Sequence, residues 1–193
     1  MRETNMPGIS PIPPLLSAPV KVLIEASISL RKAALNQEIC CAKFNPAPWN
    51  EKEIKWQQER FIKDHVTCFC YMPLNFGGKM RKNMKAMESA GAVPSESDFL
   101  VLSNNCSAWG MDLYIKTTKD VPNTEVATIS GTFLSKVFEG PYKNISKWIA
   151  EMKQYAQVKG QEIKDLYFYY TTCPKCAKKY GKNYVVLLAK IDS

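Results

Sequence analysis

The sequence predicts an α+β domain made of two strand–helix–strand–strand units. Their strands form one curved antiparallel sheet, with helices on one face and a central cleft on the other. Three observations carry this expectation. A strand ending at Met72-Pro73 runs into a helical stretch with Met80, Met84 and Met87 on one side. A strand ending at Gly140-Pro141 runs into a second such stretch, with Trp148, Met152 and Tyr155 on one side. A shift of 68 residues lays Pro73 on Pro141, Met80 on Trp148, Met84 on Met152 and Met87 on Tyr155.

Residues 1–19 are proline-rich and without period, as a flexible segment is. A single domain is expected over 20–193. It opens on a helix over 20–36, where Val20, Ile24, Ile28 and Ala34 recur at helical spacing. Ile39–Phe44 reads as a short strand, ended by Asn45-Pro46. Glu53–Ile62 fits helix or strand equally, and His65–Met72 is β-branched and aromatic, hence a strand. The first unit is placed at about 65–117, with strands Asp98–Leu102 and Met111–Thr117 after its helix. The second is placed at about 131–191, with strands Asp165–Tyr170 and Tyr184–Ile191. Its last hairpin is six residues longer and contains Cys173-Pro174-Lys175-Cys176.

Composition narrows the function. No stretch of 18 apolar residues occurs, which predicts no membrane span, and the N-terminus makes a poor secretory signal. Seven cysteines, two of them adjacent, argue against a disulfide framework and for a reducing, cytoplasmic setting. The net charge of +8 is spread among glutamates, so a nucleic-acid partner is not expected. His65 is the only histidine, and no Gly-x-Ser-x-Gly turn or phosphate loop is present, which argues against a triad hydrolase or a nucleotide site. The oligomeric state is not encoded legibly.

The run Gly131-Thr132-Phe133-Leu134-Ser135-Lys136-Val137-Phe138-Glu139-Gly140-Pro141-Tyr142, followed by Trp148, resembles the GyrI-like small-molecule-binding domain family. The resemblance covers about Val66–Ile191 and is strongest in the second half. Leu74-Asn75-Phe76-Gly77 and the stretch from Cys173 to Tyr184 look like a standalone subgroup without a DNA-binding domain. The resemblance implies an SHS2-like duplicated fold with a pocket for amphipathic or aromatic molecules. It also implies kinship with effector-binding domains and with hydrolases that open strained cyclopropane rings. The family's ligand-facing glutamate near the start of the last strand has no counterpart in Lys182-Asn183-Tyr184-Val185.

Candidate residues follow. Glu139 shares a strand face with Phe133 and Val137, where a carboxylate has a raised pKa and serves as general acid or base; it could equally stabilise the start of the next helix. Tyr142, in the turn that follows, is its expected catalytic partner. Trp56, Trp109, Tyr114, Phe168 and Tyr170 are candidate ligand-binding rings, although about half of the aromatic set must simply pack the core. Alternation puts Phe168 and Tyr170 on one face and Tyr167 and Tyr169 on the other. Cys173 and Cys176 have metal-ligand spacing, but a structural zinc needs four donors, so neither a metal nor another cofactor is expected. A redox motif of this spacing opens a helix after a strand, whereas this one joins two strands. The function these features support is binding of a small amphipathic or aromatic molecule, or its hydrolysis in the same cleft.

Overall fold

The computed structural model describes residues 41–70, 72–104 and 106–192. The chain divides into two units, Met1–Cys40 and Cys41–Ser193. The first, with the segment 1–19 and the helix expected over 20–36, lies outside the described residues. Within the second the order is β1 (Lys52–Phe69), β2 (Met72–Pro73), α1 (Phe76–Ala90), β3 (Val101–Asn104), β4 (Gly110–Lys116) and β5 (Glu125–Glu139). There follow a 3₁₀ turn (Tyr142–Asn144), α2 (Ile145–Val158), β6 (Asp165–Tyr170), α3 (Pro174–Tyr180) and β7 (Tyr184–Lys190).

The sheet is antiparallel in every pairing, with the order β2-β1-β4-β3-β6-β7-β5. A further pairing of β1 with β5 closes it into a barrel-like ring. Each half runs strand, helix, strand, strand. Each pairs its strands in the order first, third, second: β1–β4–β3, then β5–β7–β6. The halves meet at two seams, β1 against β5 and the short contact Leu102↔Tyr169, Ser103↔Phe168. Because the sheet closes, its inner face packs around a central aromatic cluster. Closure depends on β1, which pairs with β4 over Phe61–Thr67 and with β5 over Lys52–Lys63.

A bulge between Trp56 and Glu59 lets one strand serve both neighbours. Gln58 sits there at φ 54°, and its N–H donates to Ser130 Oγ at 2.9 Å. Opposite the bulge, Gly131 has φ 139°, and a Cβ on it would lie 2.5 Å from the Asp192 carboxylate. Only glycine fits the seam at that point.

Alternation along each strand sorts side chains into three clusters. On the outer face, α1 lays Met87, with Met80 and Met84, over Ile62, Val66, Leu113 and Ile115. Also on the outer face, α2 lays Trp148 and Met152 over Leu134, Phe138, Val185 and Leu187. Both helix faces are those the spacing predicts. The inner face holds Trp56, Phe61, Leu102, Tyr114, Phe133, Tyr167, Val186 and Leu188.

Several boundaries differ from expectation. Cys41–Phe44 is not a strand. The ambiguous stretch Glu53–Ile62 is the first part of β1, a strand that begins at Lys52. Likewise β5 begins at Glu125. The Cys-Pro-Lys-Cys stretch does open a helix: Cys173 is the N-cap of α3, with Pro174 following and Gly181 ending it in the left-handed region.

Candidate functional site

Five rings of the inner face form a closed circuit. Trp56 meets Phe61 (centroids 6.0 Å apart), Phe61 meets Tyr114 (6.4 Å), Tyr114 meets Tyr167 (5.9 Å), Tyr167 meets Phe133 (6.0 Å) and Phe133 meets Trp56 (4.7 Å). These are mostly tilted or edge-to-face pairs, the favoured geometry for buried rings. β1 and β4 supply three rings, and β5 and β6 supply two. The tyrosine tips reach polar partners. Burial pushes the Tyr167 phenol far up from its ordinary value, and the neighbouring Asp165 carboxylate adds to this. Asp165 in turn accepts two hydrogen bonds from the Asn104 amide, at 2.8 and 2.9 Å. Burial also pushes Tyr114 up, and the Asp112 carboxylate reinforces the shift. The circuit is therefore a packed aromatic core joining the two halves.

Room exists at the opposite end of the inner face. Phe44 packs against Tyr169 and Tyr184, and Trp49 against Tyr169. Beside them is a cavity of about 320 Å³ lined by Lys43, Phe44, Thr172, Tyr180, Lys182 and Tyr184, among others. That volume suits a small organic molecule. Glu139 ends β5 directly opposite Tyr184, which begins β7. Lys182 Nζ lies 3.3 Å from the Glu139 carboxylate and 3.2 Å from the Tyr184 hydroxyl. These two contacts, the Tyr184 hydroxyl first, hold the Lys182 ammonium above its ordinary pKa. Thr172 is 6% exposed, and its hydroxyl has no hydrogen-bond partner among the described residues. A second cavity, of about 360 Å³, is lined by Glu59, Arg60, Asp98 and Lys116 among others, with no aromatic wall.

A family model described as bacterial hydrolase matches residues 31–191. The chain belongs to this bacterial hydrolase family. No curated protein matches it. Among solved structures it is similar to a hydrolase from Listeria innocua, at 11% identity and TM-score 0.53, covering 75% of this chain and 93% of that one. It is also similar to a chain in the cryo-EM structure of an EcmrR–DNA complex, at 8% identity and TM-score 0.55, covering 90% of this chain and 68% of that one. At these identities the likeness is one of fold. A bacterial hydrolase family with this curved-sheet fold fits the GyrI-like resemblance in its coarse form.

The structure distributes this hydrolase-family member's candidate residues unevenly. Glu139 stands at the rim of the inner face with its side chain half exposed and ion-paired, so it is not in an apolar environment. Tyr142 packs edge-to-face with Tyr170 at 5.6 Å, and its hydroxyl donates to the Thr172 carbonyl at 3.5 Å. Phe168 and Tyr170 face α2 and pack with its cluster, while Tyr167 and Tyr169 face inward. Trp56 and Tyr114 are core rings of the circuit. Trp109 is 70% exposed and packs only edge-on against Phe69 among the ring pairs, far along the chain from the cavity wall. The cavity is walled by the second half and the segment before β1, not by both halves. Sequence reading missed Phe44, Thr172, Tyr180 and Lys182. The dense aromatic and lysine content of 169–184 was the available signal. Among the described residues no helix is long and apolar enough to cross a membrane.

Proposed function

We propose that this chain binds a small aromatic or amphipathic molecule in the cavity between Phe44, Tyr180 and Tyr184. The observation that carries the reading is a space of ligand size walled by the rings of Phe44, Tyr180 and Tyr184, with Lys43 and Lys182 at its edge. The aromatic walls accept a flat apolar body. Lys43 and Lys182 outweigh Glu139 at the rim, so the favoured ligand carries an acceptor or an anionic group. We read the chain as a standalone member of the GyrI-like group, its halves being copies of one unit, because both pair their strands in the same order. The setting we propose is cytoplasmic, without a nucleic-acid partner.

Membership of a bacterial hydrolase family favours turnover in the same place. In this reading Glu139 accepts a proton from water as the water oxygen bonds to a strained-ring carbon of the ligand. The ring bond breaks, its electron pair stays on the leaving atom beside the Lys182 ammonium, and that atom takes a proton from solvent.

Titration with anilinonaphthalene sulfonate, an aromatic anion, tests the binding. Saturable fluorescence should weaken ~10-fold in Lys182→Ala, a loss of about 1.4 kcal/mol. Unchanged affinity in Lys182→Ala and in Tyr184→Ala would remove the cavity from consideration. Incubation with strained-ring electrophiles, followed by mass spectrometry for added water, tests the chemistry. Glu139→Gln should abolish that product while leaving binding intact.

A further inference from the structure

We propose that Cys41, Cys173 and Cys176 form a thiolate site for a soft divalent metal, zinc being the fitting ion. The sequence offers Cys173 and Cys176 at a spacing of three, too few donors alone. The fold adds Cys41, 132 residues earlier, and the three sulfur atoms lie within 4.8 Å of one another. Tetrahedral zinc with Zn–S bonds of about 2.3 Å holds its sulfurs about 3.8 Å apart.

The surroundings hold the three sulfurs in place. Cys176 is buried at 1% exposure, and Cys41 and Cys173 are half buried. The Cys173 N–H donates to Cys41 Sγ at 3.3 Å, an interaction that favours negative charge on that sulfur. Lys175 and Lys178 are exposed on the short helix that carries Cys176, adding positive charge nearby. The Tyr180 hydroxyl donates to the Cys41 carbonyl at 2.7 Å and fixes the backbone of the third donor. Three soft sulfur donors select zinc over magnesium or calcium, which take oxygen. The fourth position is open to water. The ion ties the segment carrying Lys43 and Phe44 to the β6–β7 connection, two chain regions that have no strand pairing with each other.

The test is elemental analysis of full-length protein purified with zinc and without chelator. About one zinc per chain is expected, with a fall below about one fifth in Cys41→Ser and in Cys176→Ser. Cys70→Ser, altering an exposed cysteine elsewhere, should retain the metal. Should the serine variants fail to fold, cobalt substitution of the wild type decides: a near-ultraviolet thiolate-to-cobalt charge-transfer band of three-thiolate intensity supports the site. Metal-free wild type with no cobalt band overturns the proposal. So does zinc retained in Cys176→Ser, or a Cys173–Cys176 disulfide in protein kept under reductant.

Discussion

Tyr114 and Tyr167 meet edge to face with ring centroids 5.9 Å apart, one ring from each half of the barrel. Both phenols are raised by burial. Tyr170, on the outer face, is raised in the same way, burial again being the main cause. In the unfolded chain a phenol loses its proton near pH 10. Above that pH the unfolded state binds fewer protons than the native state, so stability falls as pH rises. Thermal unfolding followed from about pH 8 to about pH 11 should show a falling melting temperature above about pH 10. Tyr167→Phe should soften the fall. A profile as steep as wild type in that variant would mean that Tyr167 does not keep its proton in the fold.

Thr172→Val removes a buried hydroxyl with no partner among the described residues and keeps the shape of the side chain. Such a change relieves a desolvation cost, so stability should hold or rise by up to about 1 kcal/mol. Binding of the aromatic probe should be unchanged, because the hydroxyl is shielded from the cavity. Urea unfolding and the fluorescence titration check the two halves of this expectation. A loss of more than about 1 kcal/mol would show that the hydroxyl has a structural partner.

Asp64 governs the acid side. It faces α1, accepting from Lys79 Nζ at 2.7 Å and from the Asn83 amide at 2.9 Å. Burial pulls its pKa up, but the hydrogen bonds from Lys79, Asn83 and the His65 N–H together leave it below its ordinary value. Its stabilisation is therefore present above about pH 4 and is lost as pH falls through the lower folded value. Asp64→Ala leaves the buried Asn83 amide without this acceptor and should cost about 2 kcal/mol at neutral pH. The difference from wild type should shrink in acid. An equal difference at all pH values would point to packing as the cause.

What the sequence makes legible is local. Helical period finds the Met80–Met87 and Trp148–Tyr155 faces, and alternation separates Phe168 from Tyr167, because those patterns depend on near neighbours. The face that turns inward depends on the whole sheet, and Phe168 and Tyr170 prove to face α2. The bulge at Gln58 breaks the alternation of β1, which hides an 18-residue strand and with it the closure of the ring. α3 does carry signals, proline at its start and glycine at its end, but a helix of only seven residues between two strands reads as a hairpin insertion. The approach of Cys41 to Cys173 has no local trace at all, since it is set by where two distant segments leave the same end of the sheet.

β7, made after every other strand, lies between β5 and β6 and pairs with both. While the chain is being synthesised, those two strands must wait with open edges until residues 184–190 have left the ribosome. Unpaired edges recruit other chains. The barrel is thus most vulnerable to aggregation in the interval before β7 is made. A chain cut short before Tyr184 would keep most of its sequence while leaving both of those edges unpaired.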